Sequence, residues 1–256
     1  MTRIYAIVNQ KGGVGKTTSV INLSAYLALS GRRVLMVDVD PQANATSGIG
    51  LNKYELARST YDLLLEEATV DEVLQCQQEY KVDVLPANPA LAGAEVELVN
   101  AIGREYRLQK ALEGINGRYD YVLIDCPPSL GLLTVNALTA ASHGVIIPVQ
   151  CEYLALEGLS QLTQTIELVQ KYLNPQLFVR GLIMTMYDSR TNLSRQVVEE
   201  VRRYFPGKVF RTIVPRNIRL SEAPSYGQPI SVYAPHSPGA IAYKVLTAEL
   251  IRGDQS

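Results

Sequence analysis

Residues 10–18 read QKGGVGKTT: Gln10, Lys11, Gly12, Gly13, Val14, Gly15, Lys16, Thr17 and Thr18. An unbroken apolar run, Ile4–Val8, precedes them, and a helical pattern over Thr17–Ser30, closed by Gly31, follows. Strand, glycine loop and helix in that order is the context of a phosphate-binding loop. Gly12, Gly13 and Gly15 let the backbone turn tightly and aim its N–H groups inward. Those donors and the positive end of the following helix suit the phosphates of a nucleotide. On this reading Lys16 reaches the β- and γ-phosphates, the Thr17 hydroxyl takes Mg²⁺, and Thr18 holds the α-phosphate region. A loop of this kind needs one lysine, and this one has two.

The rest of the chain repeats the alternation that begins here. Val34–Val39, Val82–Leu85, Tyr121–Ile124, Val145–Val149, Leu182–Met186 and Phe210–Val214 read as strands, rich in Val and Ile and almost free of polar residues. Such runs belong to strands covered on both faces, as in a parallel sheet. Helical patterns lie between them at Ser129–Ala141, Leu156–Leu173, Leu193–Phe205 and Pro238–Ile251. The expected fold is therefore α/β: a doubly wound, mainly parallel sheet with helices on both faces, whose ligands sit beyond the carboxyl ends of the strands. Its 256 residues are expected to form a single domain, 1–256. Leu51–Tyr80 reads as short outer helices. Pro215–Pro238, with prolines at 215, 224, 229, 235 and 238, reads as a functional loop.

Two kinds of charge stand out. Asp125 ends the run "YVLIDCPP", and Asp38 and Asp40 sit in "VLMVDVDPQ". Asp125 is placed to hold Mg²⁺ beside Thr17. Spacing alone does not choose between Asp38 and Asp40, since period-two alternation points both to one side. From Arg180 to Arg219 there are nine cations against three acids, a net of +6, which leaves −7 for the remainder of a chain totalling −1. That asymmetry suggests a footprint for nucleic acid. In helix 193–205, Val197, Val198, Val201 and Phe205 share one face, and Arg195, Arg202 and Arg203 lie on the other. A merely solvated face would pair Arg195 with Glu199 and Glu199 with Arg203. Cys76, Cys126 and Cys151 form no CxxC pair and are expected as reduced thiols in or near the core. His143 and His236 are isolated. The early strand argues against a signal peptide, and no apolar run approaches the roughly 18 residues of a membrane span.

The loop departs from GxxxxGK[ST] by carrying Gln10 where the first glycine stands, and so resembles the deviant Walker A form KGGxGK[ST]. With "VDVDPQANAT", "YVLIDCPPSL", "TMYDSRTNL" and "VPRNIRLSEAPSYGQPI", the whole chain resembles the ParA/MinD family of P-loop ATPases, most closely the chromosomal ParA (Soj) type. The resemblance implies a Mg²⁺-dependent ATPase. Lys16 acts within its own chain, and Lys11 reaches the nucleotide of a partner subunit in an ATP-bound homodimer. It implies Asp40 as the residue that orients the attacking water, and Asp125 with Thr17 at the metal. Pro215 and Asn217 lie at the adenine. Asp38 is left as support for the metal, and Glu152 as either a helix cap or a contact at the dimer seam. The family binds double-stranded DNA non-specifically as ATP dimers. Arg190, Arg219 and Arg195, then Arg202 and Arg203, are the candidates. A ParB-type centromere-binding protein stimulates hydrolysis, and the expected location is the cytoplasm, on the nucleoid.

Three other readings compete. A MinD-like membrane-cycling ATPase needs a basic amphipathic C-terminal helix. The end here has Lys244, Glu249 and Arg252 without a basic face, and Ile241, Val245 and Leu246 are expected to dock on the core. A carrier of a metal cluster on this fold needs paired cysteines. A small-molecule ligase of the dethiobiotin synthetase kind gives no reason for Lys11. Because the first strand opens the chain, no N-terminal DNA-reading extension is expected.

Overall fold

Neighbouring residues along each central strand belong to different cores. The computed structural model describes residues 2–152 and 155–255, and the side chains of 155–157 lie outside it. Its strands are β1 (Arg3–Ile7), β2 (Val34–Asp38), β3 (Gln75–Gln77), β4 (Val82–Leu85), β5 (Tyr121–Asp125), β6 (Val145–Gln150) and β7 (Val179–Thr185). They form one sheet in the order β3-β4-β2-β5-β1-β6-β7. All pairings are parallel except β3 with β4. Every residue of β2 and β5 is buried, which is why these strands read as continuous apolar runs.

On one face, Tyr5, Ile7, Met36 and Leu123 meet Val20, Leu23 and Leu27 of helix Lys16–Leu29, and Tyr243, Leu246 and Leu250 of helix Pro238–Gly253. On the other, Ala6, Leu35, Val37, Val122 and Ile124 meet helices Leu132–Ala140, Ala155–Tyr172 and Asn192–Tyr204. The doubly wound architecture is as expected. Short helices at Thr60–Leu64 and Val70–Val73 occupy the expected outer segment, the first begun by a capping box at Ser59.

Four details depart from the sequence reading. Phe210–Val214 is not a strand. It touches β7 only at isolated points, Phe210 N–H to Leu182 O at 2.9 Å and Val214 N–H to Met184 O at 2.8 Å. Between them the Glu249 carboxylate takes the N–H groups of Arg211 (2.7 Å) and Thr212 (3.0 Å) and pulls the backbone off the ladder. Strand β3, Gln75–Gln77, escaped notice because its residues carry no apolar pattern, and its Cys76 is exposed rather than in the core. Ile241 and Val245 are exposed too; the C-terminal helix docks through Ala242, Tyr243, Leu246 and Leu250 instead. Finally, 215–238 folds into helices Ile218–Glu222 and Ile230–Tyr233 around a 3-10 turn, tied to the phosphate-loop helix by Ile230 N–H to Asn22 Oδ1 at 2.7 Å.

Asp254, just past the C-terminal helix, accepts from Tyr5 Oη at 2.8 Å, Tyr121 Oη at 3.0 Å and Arg180 Nε at 3.0 Å. One buried carboxylate thus pins that helix to β1, β5 and β7 at the end of the sheet away from the glycine loop. The turn into β6 is equally constrained: Gly144 has φ +93°, and an added Cβ would lie 2.4 Å from the Phe178 carbonyl oxygen. Gly144→Ala is expected to cost about 2–4 kcal/mol, read as a lower urea midpoint. Gly114→Ala, where a methyl meets nothing within 4 Å, should shift stability by less than about 0.5 kcal/mol. Equal midpoints would contradict the packing described.

Candidate active site at the glycine loop

Strand register brings the chemistry together. Asp125, the last residue of β5, lies level with Ile7 of β1 and with Asp38, the last residue of β2. The glycine loop leaves β1 beside them. Asn9 folds it back, its Oδ1 accepting from Lys11 N at 3.0 Å while its Nδ2 donates to Pro148 O at 2.8 Å. Gln10 ties to Gly158 O at 3.0 Å, and Thr185 Oγ1 holds Val14 O at 2.9 Å. Gly13 and Gly15 take φ of 73° and 91°, a region that side chains avoid. Helix Lys16–Leu29 then starts with no side-chain cap, so its first N–H groups are left for an anion.

Lys16 is buried, and its Nζ donates to Lys11 O at 3.2 Å. Burial lowers its pKa, and the negative charge of Asp125 works against that shift. Asp125 is fully buried, and neither carboxylate oxygen has a hydrogen-bond partner among the described residues. Burial first, then the charge of Asp38, holds its pKa well above the ordinary value. The Thr17 hydroxyl beside it acts the other way without closing a hydrogen bond of normal geometry. An orphaned, desolvated carboxylate next to a threonine hydroxyl is a fitting donor set for Mg²⁺, which keeps several waters and takes few protein ligands.

Asp38 and Asp40 part company. Asp38 is wholly buried and turned inward, accepting from Thr46 N (2.8 Å), Thr46 Oγ1 (2.7 Å) and Asp40 N (3.1 Å). Burial pushes its pKa up to about 6 against these donors. Its oxygens are occupied, which leaves little for a metal. Asp40 lies two residues further on, with Oδ1 accepting from Gln42 N at 2.9 Å, and lines the cleft.

That cleft, about 480 Å³, runs between Gly12, Gly13, Gly15, Lys16, Thr17 and Thr18 on one side and Asp40, Gln42, Asn44, Ser47 and Gly48 on the other. Pro128, Met186, Pro224 and Ser225 complete it. A second pocket of about 210 Å³ continues from Gly15, Thr18 and Met186 to Pro215 and Asn217. Asn217 Oδ1 caps the next helix through Arg219 N at 2.9 Å, so its amide group is held in place at the pocket wall. Val14 packs into the core and does not line the cleft. Sequence reasoning missed Asn9, Thr185 and Met186 as well as the lining from Gln42 to Gly48 and at Pro224 and Ser225. Asn9 adjoined the glycine loop, and Gln42, Asn44, Thr185, Met186, Pro224 and Ser225 lie within the other quoted stretches, which carried the resemblance without marking these positions.

Lys11 faces away from its own cleft. Its ammonium lies 4.0 Å from Glu152 Oε2, and Glu152 Oε1 also takes Arg216 at 3.1 Å. Among the candidate arginines, Arg190 is closed on Asp188 at 2.7 Å and Arg219 on Glu222 at 2.8 Å. Arg195, Arg202 and Arg203 are exposed and have no ion-pair partner among the described residues; the pairs with Glu199 that a merely solvated face would form are not made.

Residues 2–179 match a family model described as an AAA domain. Over 250 residues the chain is 57% identical to the sporulation initiation inhibitor protein Soj of Bacillus subtilis strain 168, covering 98% of each. It is 55% identical to the chromosome partitioning protein ParA of Myxococcus xanthus strain DK1622, covering 98% of this chain and 89% of that one. A structure from Mycobacterium smegmatis, titled cobyrinic acid a,c-diamide synthase with bound ATP analog and magnesium, superposes with a TM-score of 0.89 at 42% identity, over 100% of this chain and 97% of that one. With the deviant loop, the paired strand-end aspartates and relatives this similar end to end, the chain belongs to the Soj/ParA family of P-loop ATPases.

Proposed function

We propose that the chain is a DNA-partitioning ATPase that works as an ATP-bound sandwich dimer and binds DNA without regard to sequence. It hydrolyses ATP with Mg²⁺. Asp125 and Thr17 hold the metal, Lys16 and the loop N–H groups hold the phosphates, and Asp40 orients the attacking water. Pro215 and Asn217 receive the adenine. The metal supplies charge neutralisation on the phosphates.

The single observation that carries the dimer is Lys11. A lysine in a glycine loop that turns out of its own cleft, onto Glu152 and the surface, is available to a neighbour's γ-phosphate. Burying a triphosphate between two subunits without added cations would be costly, and one lysine from each side offsets that cost. Exchange of Glu152 for a phosphate then couples dimerisation to ATP. The Mycobacterium smegmatis protein is named as a small-molecule synthase and holds an ATP analog and magnesium, but such chemistry gives no use for an outward Lys11 or a row of unpaired arginines. A membrane-cycling reading has only the exposed Ile241 and Val245 of the C-terminal helix, beside Lys244 and Glu249, and no helix among the described residues is long and apolar enough to cross a membrane.

DNA contact centres on Arg195, Arg202 and Arg203, whose guanidinium groups are free of acids among the described residues, with Arg190 and Arg219 contributing once their partners are displaced. Dimerisation doubles the set, and phosphate contacts act together. A ParB-type protein stimulates hydrolysis and releases the DNA, and the working location is the nucleoid.

Lys11→Ala is expected to bind Mg-ATP yet sediment as a monomer, whereas Asp40→Ala dimerises and turns over at least about 100-fold more slowly. ATP-dependent dimers of Lys11→Ala in analytical ultracentrifugation would remove the trans role. Replacing Arg195, Arg202 and Arg203 by alanine should weaken DNA binding of the ATP form about tenfold at about 0.1 M salt. The plot of log affinity against log salt should flatten by about one unit for each phosphate that the variant no longer neutralises; an unchanged slope would move the DNA face elsewhere. The buried acids give a pH signature without magnesium. Asp38 and Asp125 have folded pKa values above the ordinary one, so the folded protein keeps protons that the unfolded chain loses. The contribution of Asp38 and Asp125 to stability therefore falls as pH rises from about 4 towards 6, opposed at the lower end by depressed acids such as Asp120, Asp188, Glu66 and Glu222, whose stabilisation is gained as pH rises through their unfolded values. Across that window the melting temperature of Asp125→Asn should rise relative to that of the unaltered chain; parallel curves would mean that Asp125 ionises freely.

A further inference from the structure

Residues 38–46 form a loop whose two ends meet at one carboxylate. Asp38 Oδ1 accepts from the backbone N–H of Asp40 at 3.1 Å, and Oδ2 accepts both the backbone N–H of Thr46, at 2.8 Å, and its hydroxyl, at 2.7 Å. The Thr46 hydroxyl in turn accepts from Ala87 N at 2.9 Å. Its direction is fixed: the single proton goes to the carboxylate, and a lone pair meets the Ala87 N–H. Asp38, Thr46 and Ala87 are all fully buried. Between the tied ends lie Asp40, Gln42 and Asn44, all on the cleft wall. Ala43 N closes on Asp40 O at 2.8 Å, so the span has little slack.

We infer that Thr46 is a positioning residue for ATP hydrolysis, acting through Asp38 on the backbone of Asp40. Thr46 is outside the nucleotide cleft and makes no contact with its lining side chains through its own hydroxyl. It orients the Asp38 carboxylate from one side, that carboxylate holds Asp40 from the other, and Ala87 ties the assembly to the segment beyond β4. Hydrolysis depends on holding the water-orienting group within a fraction of an ångström, whereas phosphate binding rests on the glycine loop at the far wall. Loss of the hydroxyl therefore acts on turnover and spares ATP binding. This rests on the reading of Asp40 as the residue that orients the water.

The test is steady-state ATP hydrolysis by the full chain. Thr46→Val keeps the branched shape but leaves the Ala87 N–H facing a methyl group and takes one of two donors from Asp38 Oδ2, which keeps the backbone N–H of residue 46. Its kcat should fall at least tenfold with KM for ATP within threefold, and Thr46→Ser, which restores the hydroxyl, should recover kcat to within threefold of the unaltered chain. Asp38→Asn should reproduce the kcat loss, and the double variant with Thr46→Val should lose no more than the worse single one, since the two act as a unit. If Thr46→Val melts below the assay temperature, Asp38→Asn carries the same reading: a kcat loss at constant KM supports the inference, and a change in KM alone overturns it. An unaltered kcat in Thr46→Val, or an equal loss in Thr46→Ser, overturns it while a slow Asp40→Ala leaves the parent reading in place. A normal rate in Asp40→Ala removes the parent reading itself.

Discussion

Two carboxylates level with each other on adjacent strands, both stripped of water, are the constraint around which the site is arranged. The register of β2 with β5 sets Asp38 opposite Asp125, and burial leaves each to find its own compensation. Asp38 finds it within the chain, in three donors. Asp125 finds none among the described residues, and that difference separates their tasks. An acid already satisfied is structural material; an acid left bare is an invitation to a cation. The β5 end that buries Asp125 lies beside the β1 end that launches the glycine loop, so the bare carboxylate and the loop N–H groups come together where the strands stop.

The cations follow a similar division. Lys16 is drawn into the cleft, where burial makes its charge costly. Lys11, five positions earlier, is kept at the rim by Asn9 and Glu152. Further out, Arg190 is neutralised by Asp188 on its own turn and Arg219 by Glu222 on its own short helix, while the arginines of helix Asn192–Tyr204 have no such partner among the described residues. A surface pair of this kind is worth little in water and is readily exchanged for a better anion.

Much of the fold was legible because buried parallel strands write themselves as apolar runs: β2, β4, β5 and β6 were found within a residue or two. Where pattern failed, a long-range contact had intervened. Phe210–Val214 has the residues of a strand, yet Glu249 on another element takes its N–H groups. The loop lysines, Thr17 and the strand-end acids stand out as candidates in the sequence because their neighbours in sequence are also their neighbours in space. The spacing of Asp38 and Asp40 could not separate them, since the choice depends on Thr46 and on how the chain turns after β2. Met186 and Ser225 lie in quoted stretches, but their place on the cleft wall depends on folding from distant parts of the chain.

The grip of Glu249 on Arg211 and Thr212 has a wider reach than one interrupted strand. Thr212 precedes Pro215 by three residues, and Pro215 and Asn217 wall the smaller pocket. The distance between that wall and Met186 is thus set by a side chain on the C-terminal helix, which is itself anchored at Asp254 to the opposite end of the sheet. The width of the smaller pocket is in this way governed from behind, by a helix that also lends Tyr243 to its lining.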